Sequence, residues 1–343
     1  KIHGTPGAED AESVRRYAAG LKESERQPYL ELADEVDGIY KAAPLDSQLD
    51  SMAARYTAAP WLQSMLTEAA RGLRAAQNGA GKFIATSQLL ADIRIALPRI
   101  KSSFVRLEML DLSLRVEVEN FSAASTLRTS LQKATRHQRV LLLESAGLAA
   151  FGTGVINARL LAEMKQTLQS LSADSIQLDQ YMTHLGYLGR APGWGTQTLR
   201  MFFYENMEKL AQIEPLAMLF IQDRLRGSPL LVFSHILDGL SRDANSLAGV
   251  KHHLFDQDVG VGFTALNPGL ARGTLHTAPD LNDLENFKAD GIYLLPETVS
   301  DLPPVAGILT AGEGNPLSHV QLLARNLGIP NVTVNNTVVK ALS

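Results

Sequence analysis

From about residue 9 to about residue 246, apolar side chains return at three- and four-residue intervals with almost no strand-like alternation. That spacing gathers apolar groups on one side of a helix, so the region is predicted to be helical throughout. The stretch 103–121 is typical: Phe104, Leu107, Leu110, Leu114 and Phe121 keep the rhythm while Arg106, Glu108, Arg115 and Glu119 fall mostly elsewhere. The apolar set predicts the packed face of one helix. Breakers at Pro44, Pro60, 78–81, Pro98, 152–154, 192–195, Pro215 and 227–229 divide the region into roughly ten or more helices. No fixed-period self-similarity marks a solenoid. The prediction is an irregular, all-helical domain over 1–257, open to division into two lobes at a hinge near 190–195.

After Val250 the rhythm changes to short β-branched and apolar runs separated by Gly, Pro, Asn and Asp, the pattern of strands and tight connections. Strands are predicted near 259–266, 273–277, 291–295, 306–310 and 331–334, with one helix after His319. The fold class read from the chain is mainly α: a large all-helical N-terminal domain, then a small α/β domain over 258–343 that is incomplete at its C-terminal side. A first residue that is Lys1 rather than Met, and an end soon after the last strand, fit a piece of a longer protein.

Composition narrows this only a little. The 343 residues are 45% hydrophobic and 20% charged with a formal net charge of -4, an ordinary globular balance that gives no electrostatic reason to expect nucleic acid or a membrane surface as partner. Cysteine is absent, which removes disulfides, thiol catalysis and Cys-ligated zinc, and fits a cytoplasmic protein. The most apolar run, 140–156, is interrupted by Glu144, Ser145 and three glycines, so a buried helix is expected there rather than a membrane span.

Candidate chemistry centres on histidine. His137, His184 and His235 lie in helical patterns and read as surface or satisfied core residues; His3 and His276 have no informative surroundings. His252 and His253 are adjacent, so their side chains diverge on any regular element, and no carboxylate stands at a ligand spacing; no metal site is expected. The Gly79-Ala80-Gly81-Lys82 run lacks the first glycine and the hydroxyl residue of a phosphate-binding loop and follows no strand, so it reads as a helix-to-helix turn.

His319 differs. A loop containing Gly312, Gly314 and Pro316 leads through Ser318 to His319, and a helical pattern with Val320, Leu323 and Leu327 then runs to Gly328, with Pro330 beyond. The pattern places His319 at a helix N-terminus, where backbone N–H groups and the macrodipole favour an anion.

Residues 307–330 resemble the signature of the phosphohistidine, or swivelling, domain of phosphoenolpyruvate-utilising enzymes and dikinases such as pyruvate phosphate dikinase, phosphoenolpyruvate synthase and the glucan dikinases. The shared features are a Gly-containing loop, Ser318-His319, Ala324-Arg325 and Gly328-Ile329-Pro330, reaching back through Asn267-Pro268-Gly269, Ala271 and Gly273, and through Pro296-Glu297-Thr298. The resemblance covers 259–339 and implies that His319 is a covalent phosphoryl carrier supported by Ser318. Arg325 lies about 10 Å, two helical turns, beyond His319, so it is expected to support the site or anchor the loop, for example through Glu313. Asn315, Pro316 and Leu317 replace the paired glycines and the Thr that many relatives place before the histidine. By resemblance, ATP and Mg2+ belong to an ATP-grasp domain, and the acceptor to a further domain or subunit, neither in this chain, so the chain alone is not expected to turn over. No cofactor or metal is assigned to the chain itself. The competing expectation is a regulatory or protein-binding helical scaffold with a phosphorylatable or inactive histidine domain.

Overall fold

The computed structural model describes residues 8–40, 43–249, 252–254, 257–260, 263–281, 283–296, 299, 301–312 and 318–342. The molecule is mainly α, with one small mixed sheet near its C-terminal end. Two compact units divide the chain at Ala75/Ala76. The boundary expected at 257/258 falls inside the second.

The first unit holds α1 (Ala8–Ala19), α2 (Glu23–Tyr40), α3 (Leu45–Arg55) and α4 (Pro60–Ala75). Arg15 joins α1 to α2 through Asp34 at 2.8 Å and Asp37 at 2.6 Å, and Arg74 joins α4 to α3 through Asp50 at 2.6 Å.

The second unit begins with α5 (Gly79–Ala96), α6 (Ser103–Ser125), α7 (Leu127–Gln132), α8 (Arg136–Gly152), α9 (Ala158–Leu171), α10 (Leu178–Leu188), α11 (Ala191–Leu210), α12 (Phe220–Arg226) and α13 (Pro229–Leu247). Their boundaries follow the local signals. Asn78 Oδ1 accepts from the Gly81 N–H at 2.9 Å, so the phosphate-loop lookalike is a capped helix start. Thr135 and Gln138 form a reciprocal capping box at the start of α8, satisfying two helix-end donors. The stretch 190–195 forms the N-cap and first turn of α11, with Ala191, Pro192 and Gly195 buried.

One helix presents a different face from the one its periodicity suggests. In α6 the buried residues are Met109, Leu112, Val116, Asn120 and Ala123, whereas Phe104, Leu107, Leu110, Leu114 and Phe121 are exposed. The helix is apolar on more than one side, so spacing alone does not choose between them. A polar cluster accompanies the choice: Asn120 Nδ2 donates to Phe83 O at 3.3 Å, to Thr86 Oγ1 at 2.9 Å and to Ser87 Oγ at 2.9 Å on α5. A buried amide requires such partners, and α5 supplies them along that face.

The strands are β1 (His252–Leu254), β2 (Gln257–Gly260), β3 (Phe263–Asn267), β4 (Thr274–His276), β5 (Gly291–Pro296), β6 (Gly307–Ala311) and β7 (Asn331–Val334), with α14 (His319–Asn326) between β6 and β7 and α15 (Asn336–Leu342) after β7. The predicted strand 259–266 is thus two strands: β2 pairs with β1 as a separate hairpin, and β3 joins the main sheet. The sheet order is β3-β7-β6-β5-β4. β4, β5, β6 and β7 run parallel, and β3 is antiparallel to β7. Tyr293, Leu295 and Ile308 meet Val320, Ala324 and Ile329 on one face, while Leu294 and Val334 meet Val338 of α15 on the other. Both faces of the sheet are covered in this way, as the near-continuous apolar run of β5 requires. His276, by contrast with its bland sequence context, stacks on Tyr293 with ring centres 4.6 Å apart.

Candidate functional site

The end of β6 leads toward His319, and the carboxyl ends of parallel strands are where open α/β sheets hold their ligands. His319 is the first residue of α14, and Ser318 is its N-cap in extended conformation. Ser318 makes no side-chain cap bond; its Oγ is buried without a hydrogen-bond partner among the described residues. The helix ends as its sequence predicts. Gly328 takes φ +68°, its N–H donates to Arg325 O at 3.3 Å, and the Ile329 N–H donates to Ala324 O at 2.8 Å. These two bonds define a Schellman ending, in which glycine relieves the cost of the left-handed residue.

The other residues of the motif meet around this turn. Asn267 Nδ2 donates to Ile329 O at 2.7 Å. A Cβ on Gly269 would lie 2.6 Å from Pro330 Cγ, one on Gly307 would lie 2.9 Å from Ala271 Cβ, and one on Gly273 would overlap the Asp290 carbonyl. Gly269 and Gly307 are therefore packing residues around the end of α14 and β6, and Gly273 lets the start of β4 approach the start of β5. Glu297, Thr298 and the approach residues Glu313, Gly314, Asn315, Pro316 and Leu317 lie outside the described residues.

A buried polar chain fixes α14 on the sheet. Thr310 Oγ1 donates to Asn331 Oδ1 at 2.8 Å, Asn331 Nδ2 donates to Gln321 Oε1 at 2.7 Å, and Gln321 Nε2 donates to Leu266 O at 2.8 Å. Gln321 lies two residues beyond His319, so this chain sets the start of α14 relative to β3, β6 and β7. A buried Asn beside a buried Thr and Gln was a readable signal in the sequence only once the strands and helix were known to face each other.

The opposite side of α14 meets the helical region. Leu322 joins the main helical core, and one turn earlier His319 meets α12. Arg226 Nη1 stands 2.7 Å from His319 Nδ1. Asp223, one turn earlier on α12, is 3.6 Å from the same guanidinium nitrogen. Together with Asp301, Leu216, Leu219 and Leu323 they line a cleft of about 270 Å³. Burial lowers the His319 pKa from its ordinary value of 6.5, and the Arg226 charge lowers it further, against Asp223 and Asp301, which raise it. The ring is consequently neutral at pH 7.

Of the three residues singled out from sequence, His319 and Ser318 are adjacent at the helix start, and Arg325 is exposed in the last turn of the same helix, away from the ring. Its cationic side chain suits that carboxyl end. Arg226, Asp223 and Asp301 were not legible. Arg226 is 93 residues from His319 and reads in sequence only as a basic residue closing a short helix before Gly227. Among the described residues, no group of three or more His, Asp or Glu is arranged to hold a metal ion, and no helix is long and apolar enough to cross a membrane.

The lowered His319 pKa gives a stability prediction. The folded ring binds its proton less readily than the unfolded ring, so the unfolded state takes up more protons and stability falls as pH drops through and below about 6.5. Denaturant unfolding of the protein and of His319→Gln between pH 8 and pH 5 measures this. The difference between the two curves should shift against the unsubstituted protein as pH falls; parallel curves would refute it.

Compared with known proteins, the chain matches no family model, no curated protein and no solved structure.

Proposed function

We propose that this chain is the phosphoryl-carrier portion of a phosphotransferase of the phosphoenolpyruvate-utilising or dikinase type, with His319 as the carrier. The observation that carries the reading is a neutral, half-buried imidazole at the first position of a helix, facing a cleft with a guanidinium group. The motif residues around it supply the resemblance.

An unprotonated imidazole nitrogen is a nucleophile at neutral pH. In the first transfer it attacks phosphorus, the P–N bond forms, and the P–O bond to the donor's leaving group breaks with its electron pair. In the second, the acceptor oxygen attacks and the ring leaves. The helix-end amides favour the added phosphoryl group, and the buried Ser318 Oγ of the preceding residue is a further hydrogen-bonding group. Donor and acceptor are held outside this chain, with ATP and Mg2+ on another domain. The helical region serves as the surface on which the carrier docks.

The test is to incubate the protein, in its full-length context, with ATP labelled at the β or γ phosphorus. Acid-labile, alkali-stable label should appear and be lost in His319→Ala. Label that persists in that variant, or that survives acid, overturns the assignment.

A further inference from the structure

The contact between Arg226 and His319 restricts the ring's chemistry. A guanidinium group has five N–H donors and no acceptor, so at 2.7 Å His319 Nδ1 is necessarily the acceptor and carries no proton. In the neutral ring the single proton is then on Nε2. A protonated ring nitrogen has no in-plane lone pair to offer. The remaining lone pair, on Nδ1, is directed at Arg226. With Arg226 in place, neither nitrogen is free to attack an electrophile.

The contact is also built on packed elements. Ile221 and Leu225 of α12 are buried in the helical core, and Leu322 of α14 enters the same core one turn beyond His319. Asp223 lies close enough to the Arg226 guanidinium to orient it. The charged groups facing the ring are thus Arg226 and Asp223 from α12 and Asp301 from the segment before β6.

We propose that Arg226 is a latch: when α14 is docked on α12 it holds His319 as the Nε2–H tautomer with the Nδ1 lone pair engaged, and withdrawal of the guanidinium is the step that activates the ring. This gives the helical region a definite role, to keep the carrier silent between transfers. The proposal rests on reading His319 as a nucleophile, but its test needs neither ATP nor a second domain.

Diethyl pyrocarbonate, which ethoxyformylates unprotonated imidazole, is the probe, with modification of the His319 peptide followed by mass spectrometry at pH 7.5. Arg226→Met keeps the length of the side chain and removes the donors. It should raise the modification rate by about ten- to a hundredfold, the factor that a hydrogen bond to a charged group is worth. Arg226→Lys keeps a cationic donor and should return the rate toward that of the unsubstituted protein, which also separates a lost latch from a disturbed α12.

Steric shielding is separated by the nitrogen NMR spectrum of His319. Arg226→Met should raise the ring's titration midpoint and let the proton populate Nδ1 as well as Nε2. Equal modification rates would overturn the proposal, as would a faster rate with unchanged titration and tautomer. If His319→Ala retains the phosphoryl label, the carrier reading falls while the reactivity result stands on its own; if the label is lost but Arg226→Met changes nothing, only the latch falls.

Discussion

Replacing Asn331 by valine is expected to destabilise the unit containing the sheet by roughly 2 to 6 kcal/mol, because it strands two buried polar groups at about 1 to 3 kcal/mol each. Asn331 and Thr310 are both 0% exposed and Gln321 2%, so water cannot replace the lost partner. Thr310 Oγ1 would lose its acceptor and Gln321 Oε1 its donor. The double substitution Thr310→Val with Asn331→Val removes one of the stranded groups. It should therefore be less destabilised than Asn331→Val alone, by about 1 to 3 kcal/mol. Urea unfolding of Asn331→Val, Thr310→Val and the double variant decides it: an Asn331→Val substitution costing under about 1 kcal/mol, or a double variant showing simple additivity, would mean that the polar chain does not hold α14 to the sheet.

Two leucines one half-turn apart on α6 should give opposite results. Leu112 is 1% exposed and Leu114 is 63% exposed. Leu112→Ala removes buried methyl groups and leaves a cavity between packed helices, at a cost of about 2 to 5 kcal/mol. Leu114→Ala removes surface atoms and should fall within about 0.5 kcal/mol. The comparison tests the face of α6 directly. Similar losses for both would mean that the periodicity-selected face, with Phe104, Leu107 and Leu114, is covered in solution.

The two cases show where reading the chain worked and where it stopped. Helix starts at Asn78 and Ser228, both at breakers read from the chain, are written in local chemistry, since a side-chain oxygen three or two residues from a free backbone N–H completes the cap without help from the rest of the fold. The same holds for the end of α14, where Gly328 alone among its neighbours adopts a positive φ without strain. The strand at 291–296 and the helix beginning at His319 were likewise legible, because their periodicities differ and their bounds are marked by Gly and Pro. Periodicity failed on α6 because that helix carries apolar residues on both sides, and the buried side holds Met109, Leu112 and Val116 together with Asn120, whose amide is satisfied by Thr86 and Ser87.

The sequence by itself determined the mainly helical character, the late change to short strands, and a histidine at a helix start flanked by small residues. These depend on interactions within a few residues, whose energies do not wait for the fold. Only the tertiary structure decided what His319 faces. A hydrogen bond between groups 93 residues apart leaves no trace in local spacing. It exists because Leu225 and Leu322 are buried in one core, and that packing brings the ends of α12 and α14 within reach. The chemistry legible at His319 is that of an available imidazole. The fold adds the donor that occupies it.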